Sequence, residues 1–400
     1  MRNAGGGALA GLKVVELAHV IAGPLAGTLL ADLGANVVHV EDPGRGDPQR
    51  YAGPAKDGAH LWWKVAARNK QSVTVNLRTD AGRDLARRLV AWADVVISNF
   101  RVETMERWGL DWPSLHAANP KLVMLQVSGF GASSSKRNQP GFGKVGEAMS
   151  GVVNLTGFPD GPPVHTGFSH GDSVTGLMGA YAIQAALYRK AHDPDFRGEW
   201  IDLALYEGLY RLIEWQVIFY DQLHKVPERV GNQLAAAPAA VINTFKTADG
   251  RWLTVTSGTP RSVQNVAVLV GEPVEEYATP AMQVERRDHL DKLVADWIAQ
   301  RSLEECMRAM ESLEVVASPI YTVEDILNDQ TFAERGNVIE IEDPDLGSVR
   351  MQGVVPRLEN YPGAVWRTAP ALGEDTDRVL TGYLGMTKDE VEDLRAAGTV

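Results

Sequence analysis

A chain of 400 residues exceeds one ordinary hydrophobic core, so two domains are expected. Apolar residues at 44% and charged ones at 22% describe a globular protein, and a formal net charge of −12 argues against nucleic acid or an anionic membrane as the main partner. The lone cysteine, Cys306, excludes an internal disulfide framework and fits a reducing compartment. The start, Met1-Arg2-Asn3-Ala4-Gly5-Gly6-Gly7, reads as a loose tail without an apolar leader, and no run approaches the ~18 apolar residues of a membrane span, so a cytoplasmic location is expected.

Along the first half, strand and helix alternate. Lys13–Ala18 reads as a strand, and Pro24 opens a helix that Gly34 closes. Asn36–Val40 follows as a second strand, Ser72–Leu77 as a third, Asp94–Ser98 as a fourth and Leu122–Val127 as a fifth, with Asp80 capping a helix through Trp92. This pattern predicts βαβ units and an α/β, Rossmann-like doubly wound, mostly parallel sheet. Ser128–Gly143 is rich in Gly, Ser and Asn and reads as a mobile loop. A strand near Trp200–Ala204 precedes one long amphipathic helix over Tyr206–Leu223. Residues 226–325 open with strand, Asp249-Gly250 turn and strand, then turn helical. They read as a smaller α+β domain set into a large domain of residues 1–225, which 326–400 return to complete.

The opening βαβ does not carry the dinucleotide fingerprint. Its turn, Ala18-His19-Val20-Ile21-Ala22-Gly23-Pro24-Leu25-Ala26-Gly27, has glycines in G-x-x-x-G rather than G-x-G-x-x-G spacing. There is no G-x-S-x-G elbow at Ser128 and no H-x-x-x-H metal pair, so no metal site is expected. His39 alternates within a strand and reads as structural, whereas His19 follows a strand where open α/β sheets place ligands. Arg45, Arg50, Arg78, Arg101 and Arg107 are individually ordinary surface charges. Together, near strand ends, they suit an extended phosphorylated ligand, with Asn99 and Phe100 at the same edge. Asp172, in His170-Gly171-Asp172-Ser173, stands between glycines ahead of a Gly/Ala-rich helix. It reads either as a helix N-cap or as a nucleophile that the helix terminus keeps ionised.

Several stretches, in order, resemble the class III (CaiB/BaiF-type) CoA-transferases. They are Gly11–Leu17 with Ala22-Gly23-Pro24, Leu30–Val38 with Glu41, Asn69–Val73, Asn99-Phe100, Gly157–Pro163, Gly171-Asp172 and Arg229–Asn232. The resemblance implies CoA transfer from an acyl-CoA to a free carboxylic acid, with Asp172 accepting the acyl group and then carrying CoA as a thioester. It implies coenzyme A as substrate, no tightly bound cofactor and an interlocked homodimer. It also places CoA along His19, Val20, Ile21 and Ala22, along Val75, Asn76, Leu77 and Arg78, and beside Asn99, Phe100, Arg101 and Arg107.

Three departures refine this expectation. Formyl-CoA:oxalate members carry a basic residue where this chain has Asp42, with Arg45 the nearest substitute, and a polyglycine loop where it has Gly231–Pro238. Oxalate is therefore a poor acceptor. Racemases of the superfamily carry a His-Asp pair where this chain has Phe142 and Gly143, which cannot move a proton. Gly141–Met149 resembles branches that handle succinyl-type donors and larger organic acids. The alternatives are an α-methylacyl-CoA racemase or epimerase, and a non-catalytic CoA-binding protein.

Overall fold

The computed structural model describes residues 6–400, so the expected tail at 1–5 lies outside the described residues. The chain forms two compact units. One comprises Met1–Val152, His165–Ile218 and Gln330–Val400, the other Val153–Val164 and Phe219–Asp329.

The first unit is built on six parallel strands: β1 (Lys13–Leu17), β2 (Asn36–Glu41), β3 (Gln71–Thr74), β4 (Val95–Ser98), β5 (Val123–Ser128) and β6 (Glu199–Ala204), in the order β3-β2-β1-β4-β5-β6. That is the doubly wound order, with its reversal between β1 and β4. Valine-rich runs such as Val14-Val15, Val37-Val38 and Val95-Val96 make these strands because a parallel sheet is buried on both faces. On one face pack Leu85 and Leu89 of α3 (Asp80–Trp92, which follows α2, Leu61–Ala66) and Met105 of α4 (Val102–Trp108). On the other lie Ala22, Ala26 and Leu30 of α1 (Ala22–Asp32), and Ala180 and Ile183 of the 23-residue helix His170–His192.

The Gly/Ala spacing of that long helix allows close packing on one face only. A Cβ on Gly176 would lie 2.9 Å from the carbonyl of Ala22, and one on Gly179 would lie 2.6 Å from Leu125. The opposite face shows Leu177, Tyr181 and Tyr188 to solvent, so the helix is not buried all round.

The last segment closes the sheet edge at β3. Ser72 N–H donates to Asp375 Oδ2 (3.0 Å), Thr74 N–H to Thr376 Oγ1 (3.1 Å) and Asn76 N–H to the Thr399 carbonyl (2.8 Å). The third strand stops at Thr74, short of the expected Leu77: Val75 N–H still reaches the Glu41 carbonyl (2.8 Å), and from Asn76 the chain turns away to the C-terminal segment.

Two further expectations change. Tyr206–Leu223 is not one helix: Glu207–Leu212 and Trp215–Leu223 are separated at Glu214, whose φ is 39°. The segment after Ser128 is irregular but pinned, since Asp202 accepts hydrogen bonds from Ala132 N–H (2.7 Å), Ser133 N–H (2.9 Å) and Ser133 Oγ (2.8 Å).

The second unit is α+β, as expected. Val241–Lys246, Trp252–Ser257 and Ala317–Pro319 form an antiparallel sheet, and Gly250 takes φ 80° in the first turn. Its own core surrounds Tyr277, Val294 and the buried Cys306.

Candidate active site

The β1–α1 turn and the segment after β4 meet where the strand order reverses, the usual place for a ligand in an open α/β sheet. His19–Ala22 line a cavity of about 470 Å³ there, with Asn99, Phe100, Arg101, Phe142 and Asp172.

The turn is held tightly. Val20 has φ 67°, a left-handed conformation that a β-branched residue resists. Its N–H donates to both carboxylate oxygens of Asp47, at 3.0 and 3.1 Å. The Asn99 amide accepts from His19 N–H (2.9 Å) and donates to its carbonyl (2.7 Å). Behind Asp47 runs a buried chain of charge. His39 Nε2 lies 3.3 Å from Asp47, its Nδ1 lies 2.5 Å from Glu16, and Lys70 Nζ reaches Glu16 at 2.9 Å. Burial alone would strip the His39 proton, but Glu16 and Asp47 outweigh it and push the pKa up to about 10. His39 is thus structural, as its strand position suggested, while His19 lines the cavity.

Asp172 sits in the first turn of the helix His170–His192; Ser169 occupies the N-cap position and makes no side-chain cap bond. The cap reading is therefore set aside. The acid is nonetheless harder to ionise than an ordinary aspartate, though still mostly ionised at neutral pH. Burial, and then the neighbouring Glu147 charge, push its pKa up to about 6, with Lys144 acting against them. No described residue donates a hydrogen bond to its carboxylate. The carboxylate occupies the space where a side chain would begin on Gly143: a Cβ there would lie 2.0 Å from Oδ2.

Glu147, in the helix Gly143–Met149, is buried, and it organises the approach to Asp172. Its Oε1 accepts from Gly171 N–H (3.1 Å), and its Oε2 faces Lys144 Nζ (2.9 Å) and His165 Nδ1 (2.7 Å). Lys144 Nζ also donates to the carbonyls of Thr166 and Phe168.

The remaining expected contacts divide. Asp42, Arg45 and Arg78 line an adjoining cavity of about 250 Å³ that shares His19 and Phe100 with the first. Asp42 accepts from the N–H groups of Gly44 and Arg45 and from Arg78 Nη1 (2.6 Å), so an acid here folds the loop and positions an arginine. Val75, Asn76, Leu77 and Arg107 line neither cavity. Val75 and Leu77 point into the core, Asn76 bonds the C-terminal Gly398 carbonyl, and Arg107 is exposed in the last turn of α4. Arg50 is taken by Glu41, with Nε to Oε2 at 2.6 Å. Among the described residues no cluster suits a metal ion. Sequence reasoning noted the segment Gly141–Met149 but gave no role to its Lys144 and Glu147, and it missed His165 and also Arg137, which lines the large cavity from the irregular loop.

The model of CoA-transferase family III matches residues 9–376. The chain is 41% identical over 391 residues to succinyl-CoA–D-citramalate CoA-transferase of Chloroflexus aurantiacus, covering 96% of both chains. It is 33% identical to succinate–glutarate CoA-transferase of Agrobacterium fabrum, covering 93% of this chain and 94% of that one. The crystal structure of a CaiB/BaiF family protein from Brucella suis superposes with TM-score 0.83 at 32% identity, covering 94% of this chain and 100% of that one. The chain belongs to CoA-transferase family III and is a CoA-transferase.

Proposed function

We propose that the protein moves CoA from a succinyl-type acyl-CoA to a free carboxylic acid through an aspartyl-CoA thioester on Asp172. The observation that carries this reading is the Asp172 carboxylate itself: it faces the cavity, has no donor bound to it, and has Gly143 making room beneath it. An unsatisfied carboxylate in a sheltered site is a stronger nucleophile than a solvated one.

The carboxylate attacks the thioester carbonyl. The C–S bond breaks, CoA leaves as thiolate and an acyl-aspartyl anhydride remains. The thiolate attacks the Asp172 carbonyl, releasing the donor acid and leaving CoA on Asp172. The incoming carboxylate repeats the first step on this thioester, and the thiolate then takes the acceptor's acyl carbon and restores Asp172. No water or proton is consumed. The His19–Ala22 turn, Asn99–Arg101, Arg45 and Arg78 supply the walls for CoA.

Relatives whose names specify succinyl-CoA with citramalate, or succinate with glutarate, support the donor class and a small organic acid as acceptor. Racemisation is disfavoured because Phe142 and Gly143 carry no group that can move a proton. Exposed Leu177 and Tyr181, together with a Trp215–Leu223 helix that buries no residue, support a homodimer. Among the described residues no helix is long and apolar enough to cross a membrane; a cytoplasmic location is part of the same proposal.

Asp172→Ala should lower turnover by about a thousandfold or more while CoA still binds. Hydroxylamine added after acyl-CoA should convert Asp172 to its hydroxamate, read by peptide mass spectrometry. Activity surviving the substitution would overturn the mechanism.

A further inference from the structure

Behind the strained turn lies another cavity, of about 220 Å³, which Val20 and Ile21 also line. Ser173, the neighbour of Asp172, forms part of its wall. Most of the lining is carbon, from Pro24, Leu25 and Leu29 of α1 and from Trp62 and Val65 of the helix Leu61–Ala66. Its ionic pair is internally neutral: Arg68 donates to both Asp32 oxygens, at 3.1 and 2.6 Å. Gln49, on the 3-10 turn Pro48–Tyr51, differs from every other polar group there. Its side chain lines the cavity, the residue is 1% exposed, and neither Nε2 nor Oε1 has a hydrogen-bond partner. A buried amide open at both ends is costly unless something brought into the cavity completes it.

We propose that this cavity takes the far end of the acid whose carboxylate reacts at Asp172, and that Gln49 selects small dicarboxylic and hydroxydicarboxylic acids. This inference rests on the transfer reading above. A neutral amide asks for a ligand with an acceptor for its N–H and a donor for its carbonyl. A distal carboxylate meets the first need and a hydroxyl meets the second. The carbon walls suit the skeleton between them, and the volume holds about seven water-sized groups, enough for a short chain and its terminal carboxyl. A monocarboxylic acid of the same length would fill the walls and leave Gln49 open, so the two classes should separate at this residue.

Gln49→Met keeps length and volume and removes both polar atoms. Label exchange between succinyl-CoA and succinate, and between butyryl-CoA and butyrate, reports the same chemistry with and without a distal carboxylate. In the variant, kcat/KM for succinate should fall about tenfold or more, with butyrate exchange unchanged or faster. Equal losses on both acids, or no loss on either, would overturn the proposal, leaving Gln49 with ordered water alone. Equilibrium dialysis of free succinate separates this inference from its parent. Binding that Gln49→Met weakens tenfold, in a wild type that exchanges neither acid, would support the subsite and sink the transfer reading. Exchange in a wild type whose succinate affinity is unaffected by Gln49→Met would do the reverse.

Discussion

Asp172 combines a carboxylate without donors and a pKa pushed up to about 6, first by burial and then by Glu147. Only the ionised acid can attack a thioester, so the donor half-reaction should lose about tenfold per pH unit below pH 6. A flat profile down to pH 5 would contradict this. The same shift bears on stability. The folded pKa lies above the ordinary 3.8, so protonation favours the fold; that contribution is complete below 3.8 and lost as pH rises through about 6. Asp172→Asn should therefore melt a few degrees higher than wild type at pH 8 and no higher at pH 3.5. Gly143 is the other half of the site. Gly143→Ala would put a Cβ 2.0 Å from Oδ2 and must displace the carboxylate. A loss of about a hundredfold in turnover, with unchanged circular dichroism, is expected. Near-normal turnover would show that the acid has room to move.

Between residue and domain, the β1–α1 turn acts as a clamped element. The left-handed Val20 persists because Asp47 grips its N–H and Asn99 grips His19. Asp47→Ala should raise KM for acyl-CoA about tenfold with a smaller change in kcat, and adding Val20→Gly should recover most of that loss, since glycine adopts this φ freely. A kcat defect that Val20→Gly fails to relieve would point to general destabilisation. This element also shows where sequence reading succeeds and stops. The parallel strands were legible because runs such as Val37-Val38 suit a sheet buried on both faces, and Asp172 stood out between glycines. Glu147 was not legible: it meets Gly171 N–H across 24 residues, and nothing local marks a glutamate that will be buried there. The assignment of Val75 and Leu77 to the ligand face went the other way, because alternation along an extended segment sent both into the core. The break at Glu214 left no sign in an apolar pattern that runs through it.

At the scale of the whole molecule, the first unit depends on its last segment. Asp375, Thr376 and Thr399 satisfy the backbone of the edge strand Gln71–Thr74 and the residues that follow it. Truncation after residue 329 should leave that edge open, and the product should appear in the pellet or as soluble aggregate by size exclusion. A monodisperse, folded fragment would show that the edge does not need its cover. The contact between Ser72 and Asp375 spans 303 residues. On a ribosome elongating at about 5–20 residues per second, the strand waits roughly 15–60 seconds for its partner to be made. For that interval the nascent sheet presents a bare edge to every neighbouring chain, so yield in the cell should depend on holdase chaperones and on slower, cooler expression more than on the stability of the finished enzyme.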